Sequence, residues 1–313
     1  MHKSIVGQRG HISFIGVRDL VLRDIVIPDL SAKDYGIQIS DFENVTVERI
    51  RIEGDKDGIH FGPGRNFVVR HAVFRTFDDP VALNKSDYSV SNPHLGWIED
   101  GLFEDIYDLN DETTTGYFAR ILAGAWVDWY EGMEMQQSDA VVHNGRLYRV
   151  VMQPDGQRFC SVTPPTHTSG FAELDGIRWS CHQSAVLYTA GCRNITFRNI
   201  HLRKKRRIAF ALELNTDEYL RSCYPHAEIP VQGGIVLENV FVENDVQVLL
   251  RSRTPLSDLT IRGCAPGKAQ VLFSREAHAG LSYPDTALTL ENVSAVPSIL
   301  LGGDCENIRV ILR

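Results

Sequence analysis

Three aspartates carry the clearest chemistry in this sequence. Asp55-Lys56-Asp57-Gly58-Ile59-His60 is followed by Phe77-Asp78-Asp79-Pro80-Val81-Ala82-Leu83-Asn84, with Asp78 lying 21 residues after Asp57. Carboxylates gathered in a partly desolvated cleft repel one another, and at least one of them takes up a proton more readily than usual. A protonated carboxyl beside one or two ionised ones can protonate a leaving oxygen while activating water, which is the division of labour in glycosidic bond hydrolysis. Each aspartate pair alone would pass for a turn; their joint occurrence points to a catalytic set of Asp57, Asp78 and Asp79. On the same strand His60 is placed to orient an aspartate. Asn84 and Lys85 follow the acid pair and offer hydrogen bonds to sugar hydroxyls.

The elements that must hold these residues announce themselves as a repeat. Asn or Asp followed by alternating apolar positions recurs as Asp19-Leu20-Val21-Leu22, Asn44-Val45-Thr46-Val47, Asn66-Phe67-Val68-Val69 and, more loosely, Asp100-Gly101-Leu102-Phe103. After a gap it returns at Asn194, Asn239, Asp258 and Asn307, and its first intervals are 25 and 22 residues. Strands of about 4–6 residues with period-two alternation, punctuated at this interval, predict a solenoid. Neither the 3.6-residue period of a helical solenoid nor the leucine spacing of a leucine-rich repeat is present. The pattern predicts an all-β chain folded as a right-handed parallel β-helix, with coils stacked about 4.8 Å apart. Asp57 and Asp78 then lie one above the other on adjacent coils, with Asp79 beside them. The recurring Asn is a turn residue that tolerates left-handed backbone and stacks in an amide ladder. For the same reason Asn44 and Asn194 are read as structural, not as glycosylation sites.

Between residues 124 and 183 the period vanishes, which divides the chain into β-helix over 1–123, an inserted small β domain over 124–183, and β-helix again over 184–313. Asn144-Gly145 between alternating apolar runs predicts a hairpin. Trp126, Trp129, Tyr148 and Trp179 are the aromatic rings that could stack on a sugar face. For Tyr148 and Trp179 the core of so small a domain is the better assignment, leaving Trp126 and Trp129 as the binding candidates. The order Tyr…Asp-x-Val-x-x-Asn-Gly-x-Leu-Tyr…Trp resembles carbohydrate-binding modules of families 5/12, over about 55 residues, and implies a three-stranded module that binds sugar.

The coils from about residue 12 to 110 resemble glycoside hydrolase family 28, the polygalacturonase-like enzymes of the pectin-lyase-like fold. The family's Asn-Thr-Asp-Gly motif looks like Asp55-Lys56-Asp57-Gly58, and its Gly-Asp-Asp like Phe77-Asp78-Asp79. The resemblance implies an inverting, metal-independent glycosidase acting on a pectin-like or other polysaccharide, with Asp79 or Asp78 as general acid and the other two aspartates activating water. The nearest match to the family's Gly-His-Gly is Pro93-His94-Leu95-Gly96. The nearest to its substrate-gripping Arg-Ile-Lys is Arg120-Ile121-Leu122, so His94 and Arg120 join the binding candidates. The segment before the first coils is shorter than is usual in the family, which implies an N-terminal end without its cap.

Composition closes off other classes. The 313 residues are 43% hydrophobic with net charge −8, and the longest apolar runs fall far short of a membrane span. Mild acidity argues against nucleic acid as a partner. The short run Lys204-Lys205-Arg206-Arg207 reads as a solvated turn or a contact to a sugar acid. Tyr219, Arg251 and Arg253 fall on later coils and receive no role. Six scattered cysteines without a C-x-x-C pair indicate free buried thiols and no zinc site, with Cys160–Cys181 the one pairing left open. The polar N-terminus lacks a signal-peptide core, so a cytoplasmic location is expected over secretion. A carbohydrate substrate is expected, with no cofactor, and a monomer or homo-oligomer such as a trimer. Two alternatives remain at this level: a sugar-binding phage-spike-like protein without catalysis, and a calcium-dependent lyase in which Asp55, Asp57, Asp78 and Asp79 hold the metal.

Overall fold

Alternating apolar residues led by Asn or Asp do form strands, and longer ones than the repeat suggests. In the computed structural model, which describes residues 10–30, 34–85, 93–109, 116–154, 156–214, 227–228, 230–274, 285–302 and 307–313, Arg18–Leu30, Phe42–Gly54 and Gly64–Thr76 are each 13 residues long. Each bends twice, at residues five apart with positive φ: Asp19 and Asp24, Asn44 and Arg49, Asn66 and His71. The pattern continues at Asp100 and Asp105, Asn194 and Asn199, and Gly234 and Asn239. Asp and Asn visit this left-handed region at low cost because their side chains bond locally, so one strand turns two corners of the coil. At the first corner Asn44 Nδ2 donates to Asp19 Oδ1 at 2.9 Å and Asn194 to Asp100 at 3.0 Å; at the second, Asn199 donates to Asp105 at 2.9 Å and Asn239 to Asn199 at 3.1 Å. The repeated Asn is thus an amide ladder.

These strands build a nine-stranded parallel sheet continuing through Ile98–Asp108, Cys192–Leu202, Gly233–Val242, Asp258–Arg262, Thr286–Glu291 and Ile308–Leu312. It is called the ladder sheet below. A second sheet, the site sheet, stacks Gly10–Ile15, Tyr35–Ser40, Ile59–Phe61, Val81–Asn84, Ala119–Ala125, Arg206–Leu214, Val246–Arg253, Gln270–Ser274 and Ile299–Gly302 in parallel. The chain alternates between the two sheets coil after coil, a parallel β-helix, and no helix occurs among the described residues. Between the sheets lies one apolar core in which like residues stack, as Phe103 does on Phe197 with centroids 4.9 Å apart. Gly101 interrupts the motif at Asp100 because the Phe67 ring fills its place: a Cβ there would lie 2.2 Å from that ring.

The outer face of the ladder sheet carries an order of its own. Parallel register aligns Arg23, Glu48, Arg70, Glu104, Arg198, Glu238 and Arg262 in one column of alternating sign. Arg23–Glu48 (2.8 Å), Glu48–Arg70 (2.6 Å), Arg198–Glu238 (2.9 Å) and Glu238–Arg262 (3.0 Å) are ion pairs between successive coils.

The excursion from the helix leaves the site sheet after Ala125 and returns at Thr189–Ala190, which pairs antiparallel with Ala125 and Gly124. It holds a four-stranded antiparallel sheet of Ala140–His143, Arg146–Val150, Ile177–Gln183 and Phe171–Leu174, and a two-stranded one of Met133–Met135 and Phe159–Ser161. This is more than the three strands implied by the resemblance. The Asn144-Gly145 hairpin is present, with both residues at positive φ and His143 paired to Arg146. Tyr148 and Trp179 are fully buried in the excursion's own core, together with Trp126 and with Leu95 from the helix side. Cys160, Cys181, Cys192 and Cys264 are free; Cys192 and Cys264 are buried as expected, whereas Cys160 is exposed and unbridged to Cys181. Cys223, Cys305 and Tyr219 lie outside the described residues.

Candidate active site

The acid residues sit where the chain enters two neighbouring strands of the site sheet, Ile59–Phe61 and Val81–Asn84. Register decides their arrangement. Ile59 pairs with Val81 and His60 with Ala82, and just upstream the Gly58 amide donates to the Asp79 carbonyl at 2.8 Å. The coil step here is therefore one residue longer than the Asp57-to-Asp78 interval, and Asp57 stands opposite Asp79. Asp78 stands opposite Lys56 instead, with Lys56 Nζ 2.6 Å from Asp78 Oδ2 and 3.4 Å from Asp57 Oδ1.

The three carboxylates each place an oxygen within 4.8 Å of the other two. Asp57 and Asp79 are buried and Asp78 is partly open to solvent. Burial, reinforced by the charge of Asp78, pushes the Asp79 carboxyl up to about 6, against the opposing pull of Arg120 and of the Tyr117 amide, which donates to Asp79 Oδ1 at 2.6 Å. A glycine makes this closeness possible. Gly116 has φ 66°, and a Cβ there would lie 2.5 Å from oxygens of both Asp78 and Asp79.

Asp78 and Asp79 line an open pocket of about 480 Å³ whose other walls are Gly116, Tyr117, Arg120, Arg207, Ile208 and Arg251. Successive coils supply them, since Ala82, Arg120, Ala211 and Arg251 form one column of the site sheet. Arg251 is held against Glu213 at 2.5 Å and donates to the Tyr117 hydroxyl at 3.1 Å. With Asp79 protonated and Arg251 paired to Glu213, the pocket sets Asp78, itself paired to Lys56, beside Arg120 and Arg207, a balance suited to an anionic ligand.

Of the residues that the sequence offers for sugar contact, Arg120 lines this pocket, as does Arg207 from the basic run. His60, Asn84, Lys85 and Trp126 are no more than 2% exposed and have no surface to give a sugar. They support the site from behind. His60 stacks on Tyr35 with centroids 3.9 Å apart, its Nε2 lies 3.5 Å from Asp57 Oδ2, and Asn84 Nδ2 is 2.9 Å from the same nitrogen. The Lys85 ammonium lies over the Trp126 ring, 5.2 Å from its centroid. Contacts from other coils and from the excursion cover them, Tyr35 and Asn84 on His60 and Trp126 on Lys85, which strand alternation does not reveal. His94 is exposed but bonded to Asp41 at 2.7 Å, which holds its imidazole above the usual range, and it is not among the residues lining the acid pocket. Trp129 is half-buried on the excursion, with its Nε1 donating to Ser161 Oγ at 2.8 Å.

Sequence reasoning passed over Gly116 and Tyr117, gave Arg251 no role, and reached Arg207 only as part of a basic run read as a solvated turn or a contact to a sugar acid. The basic run is split by alternation: Lys204 is buried and donates to the Thr76 carbonyl, Arg206 forms a fully buried bidentate pair with Asp108 (2.6 and 3.0 Å), and Arg207 alone reaches the pocket. Lys205 is exposed, 3.5 Å from Asp245.

The fold and site define a parallel β-helix with an aspartate cluster on its flank. No protein-family model matches the chain, and no curated protein matches it in sequence. Similar solved structures include PfbA, a surface adhesin of Streptococcus pneumoniae (11% identity, TM-score 0.31, covering 96% of this chain and 66% of that one). Two others are the family 28 exopolygalacturonase of Yersinia enterocolitica (12%, 0.30, 88% and 43%) and the catalytic domain of a GH87 α-1,3-glucanase (13%, 0.28, 96% and 61%). The chain thus spans between 43% and 66% of these neighbours' lengths. Likeness at this level leaves function to be read from the chain's own residues.

Proposed function

We propose that this protein is a glycoside hydrolase of the family 28 type, acting without a metal on an oligo- or polysaccharide that bears acidic sugars. The observation that supports it best is the protonation asymmetry within one cluster: a buried Asp79 that keeps its proton to about pH 6, beside Asp78 and Asp57. Asp79 gives its proton to the glycosidic oxygen as the bond from that oxygen to the anomeric carbon breaks, its electron pair staying on the oxygen. A water oxygen attacks the same carbon from the opposite face and loses a proton to the carboxylate pair. A water donating to two carboxylate oxygens at about 2.7 Å each spans about 4.4 Å between them, which fits oxygens within 4.8 Å of each other. The same limit holds Asp79 as close to Asp57 and Asp78, shorter than the roughly 6.5–9.5 Å of most inverting pairs and nearer the retaining spacing. Inversion takes the water on Asp57 and Asp78 together, and the anomer of the product decides it. Arg120, Arg207 and Arg251 support an acidic sugar in the adjoining subsite.

The test is reducing-sugar release from a panel of pectic and other acidic oligosaccharides, with EDTA and with added calcium. Release that ignores EDTA, with the first-formed product inverted by NMR, is the expected result. A retained anomer would turn one aspartate into a nucleophile. The closeness of the three oxygens also favours a second reading, a calcium-dependent lyase; it predicts calcium-dependent ultraviolet absorbance of an unsaturated product.

A further inference from the structure

The aspartate cluster contains a side chain that acid–base hydrolysis does not call upon. Lys56 places its ammonium 2.6 Å from Asp78 and 3.4 Å from Asp57, and 5.9 Å from the centroid of the Tyr35 ring. Carboxylate oxygens within 4.8 Å of one another are what an oxygen-liganded divalent cation gathers at about 2.3–2.6 Å from itself. Here a compact ammonium with three donors lies against two of the three. Nor is this a surface pair free to swing apart. Lys56 stands opposite Asp78 on adjacent coils, 22 residues apart, over backbone tied by the Gly58–Asp79 bond, and its side chain is only 21% exposed.

We propose that Lys56 is the built-in counter-cation of this cluster, a positioning residue that holds Asp57 and Asp78 together and takes the place a divalent metal would occupy. Other charged groups also reach the cluster: His60 approaches Asp57 at 3.5 Å, Arg120 and Arg206 act on Asp79, and Arg207 and Arg251 line the pocket beside Asp78, while the Lys56 ammonium lies 2.6 Å from Asp78 and 3.4 Å from Asp57. A calcium ion entering the intact cluster would meet the ammonium at contact distance, and repulsion between like charges in a largely buried site is strong. Removing the ammonium while keeping the carboxylates should therefore turn the cluster into a calcium site.

The experiment needs no substrate, so its failure and the failure of the hydrolase reading are separate events. Thermal melts in EDTA and in millimolar calcium chloride, with calorimetric calcium titrations, would be run on wild type, Lys56→Met, Lys56→Arg, Asp78→Asn and the Lys56→Met/Asp78→Asn double variant. Wild type and Lys56→Arg should melt alike with and without calcium. Lys56→Met should melt several degrees lower in EDTA and recover most of that loss in calcium, and the loss should shrink by at least half in the Asp78→Asn background. Calcium binding to wild type that Asp78→Asn abolishes would overturn the proposal. So would a Lys56→Met deficit that neither calcium, Arg nor Asp78→Asn changes, since that would be lost packing on Tyr35. Should Lys56→Met not fold, the wild-type titration and a calcium-blind Lys56→Arg melting like wild type decide the matter.

Discussion

Two faces of the same solenoid treat charge in opposite ways. On the ladder sheet, the column from Arg23 to Arg262 alternates in sign, so that each interior carboxylate has a guanidinium above and below; Glu238 meets Arg198 at 2.9 Å and Arg262 at 3.0 Å. On the site sheet, register puts Asp57 opposite Asp79, with Asp78 against both, and burial drives one proton onto Asp79. Stacking identical coils makes the first arrangement easy, because any residue sees its equivalent at strand spacing on either side. The second spends stability on an unfavourable juxtaposition, and such strain collects where chemistry is done. The ladder enforces register; the cluster exploits it.

The difference can be broken most severely at Asp79. Asp79→Asn should lower turnover by roughly 10²–10⁴-fold with the circular dichroism spectrum unchanged, whereas Glu238→Gln on the ladder should leave turnover as it was. The same variant sharpens the comparison in stability. Folding raises the Asp79 carboxyl from 3.8 to about 6, so wild type loses stability as pH rises through that window and bears the full cost above it. Asn cannot ionise, so melts at pH 8 should favour Asp79→Asn by on the order of 1–3 kcal/mol, and the advantage should vanish near pH 3.5. In wild type, the alkaline limb of kcat/KM should fall with an apparent pKa near 6.

A buried pair lies between the two regimes. Arg206 and Asp108 join the start of a site-sheet strand to the end of a ladder-sheet strand and are both fully buried. Asp108→Asn should cost about 3–5 kcal/mol in chemical denaturation, because it removes the bidentate carboxylate from a fully buried guanidinium. The smallest effect belongs to the exposed ladder: Glu238→Lys sets three cations in succession and should cost about 1 kcal/mol, shrinking in 1 M salt. A salt-independent loss there would mean that packing, not charge alternation, holds that face.

How much of this could be read in the chain depends on what repeats. The Asn corners were legible because each coil needs a left-handed residue at the same place. The charge ladder was legible in principle too: Arg23, Glu48, Arg70, Glu104 and Arg198 each stand four residues after Asp19, Asn44, Asn66, Asp100 and Asn194. On the site sheet the connections differ in length from coil to coil. Arg120 follows its column neighbour Ala82 by 38 residues, and the excursion then separates Arg120 from Ala211 by 91. No spacing rule survives that, so Arg251 could not be aligned with Arg120, and Gly116 and Tyr117 went unnoticed. His60, Asn84, Lys85 and Trp126 alternate or cluster like surface residues and yet are covered by other parts of the chain.

Local sequence by itself determined the coil: corner residues, strand alternation, the Asn144-Gly145 hairpin and the presence of three aspartates one coil apart all follow from short-range sterics and the burial of every second side chain. Only the tertiary structure decided which aspartate faces which, that a lysine lies among them, and which of the arginines reach the pocket. Those are matters of register between coils, where a shift of a single residue moves every side chain to a new partner.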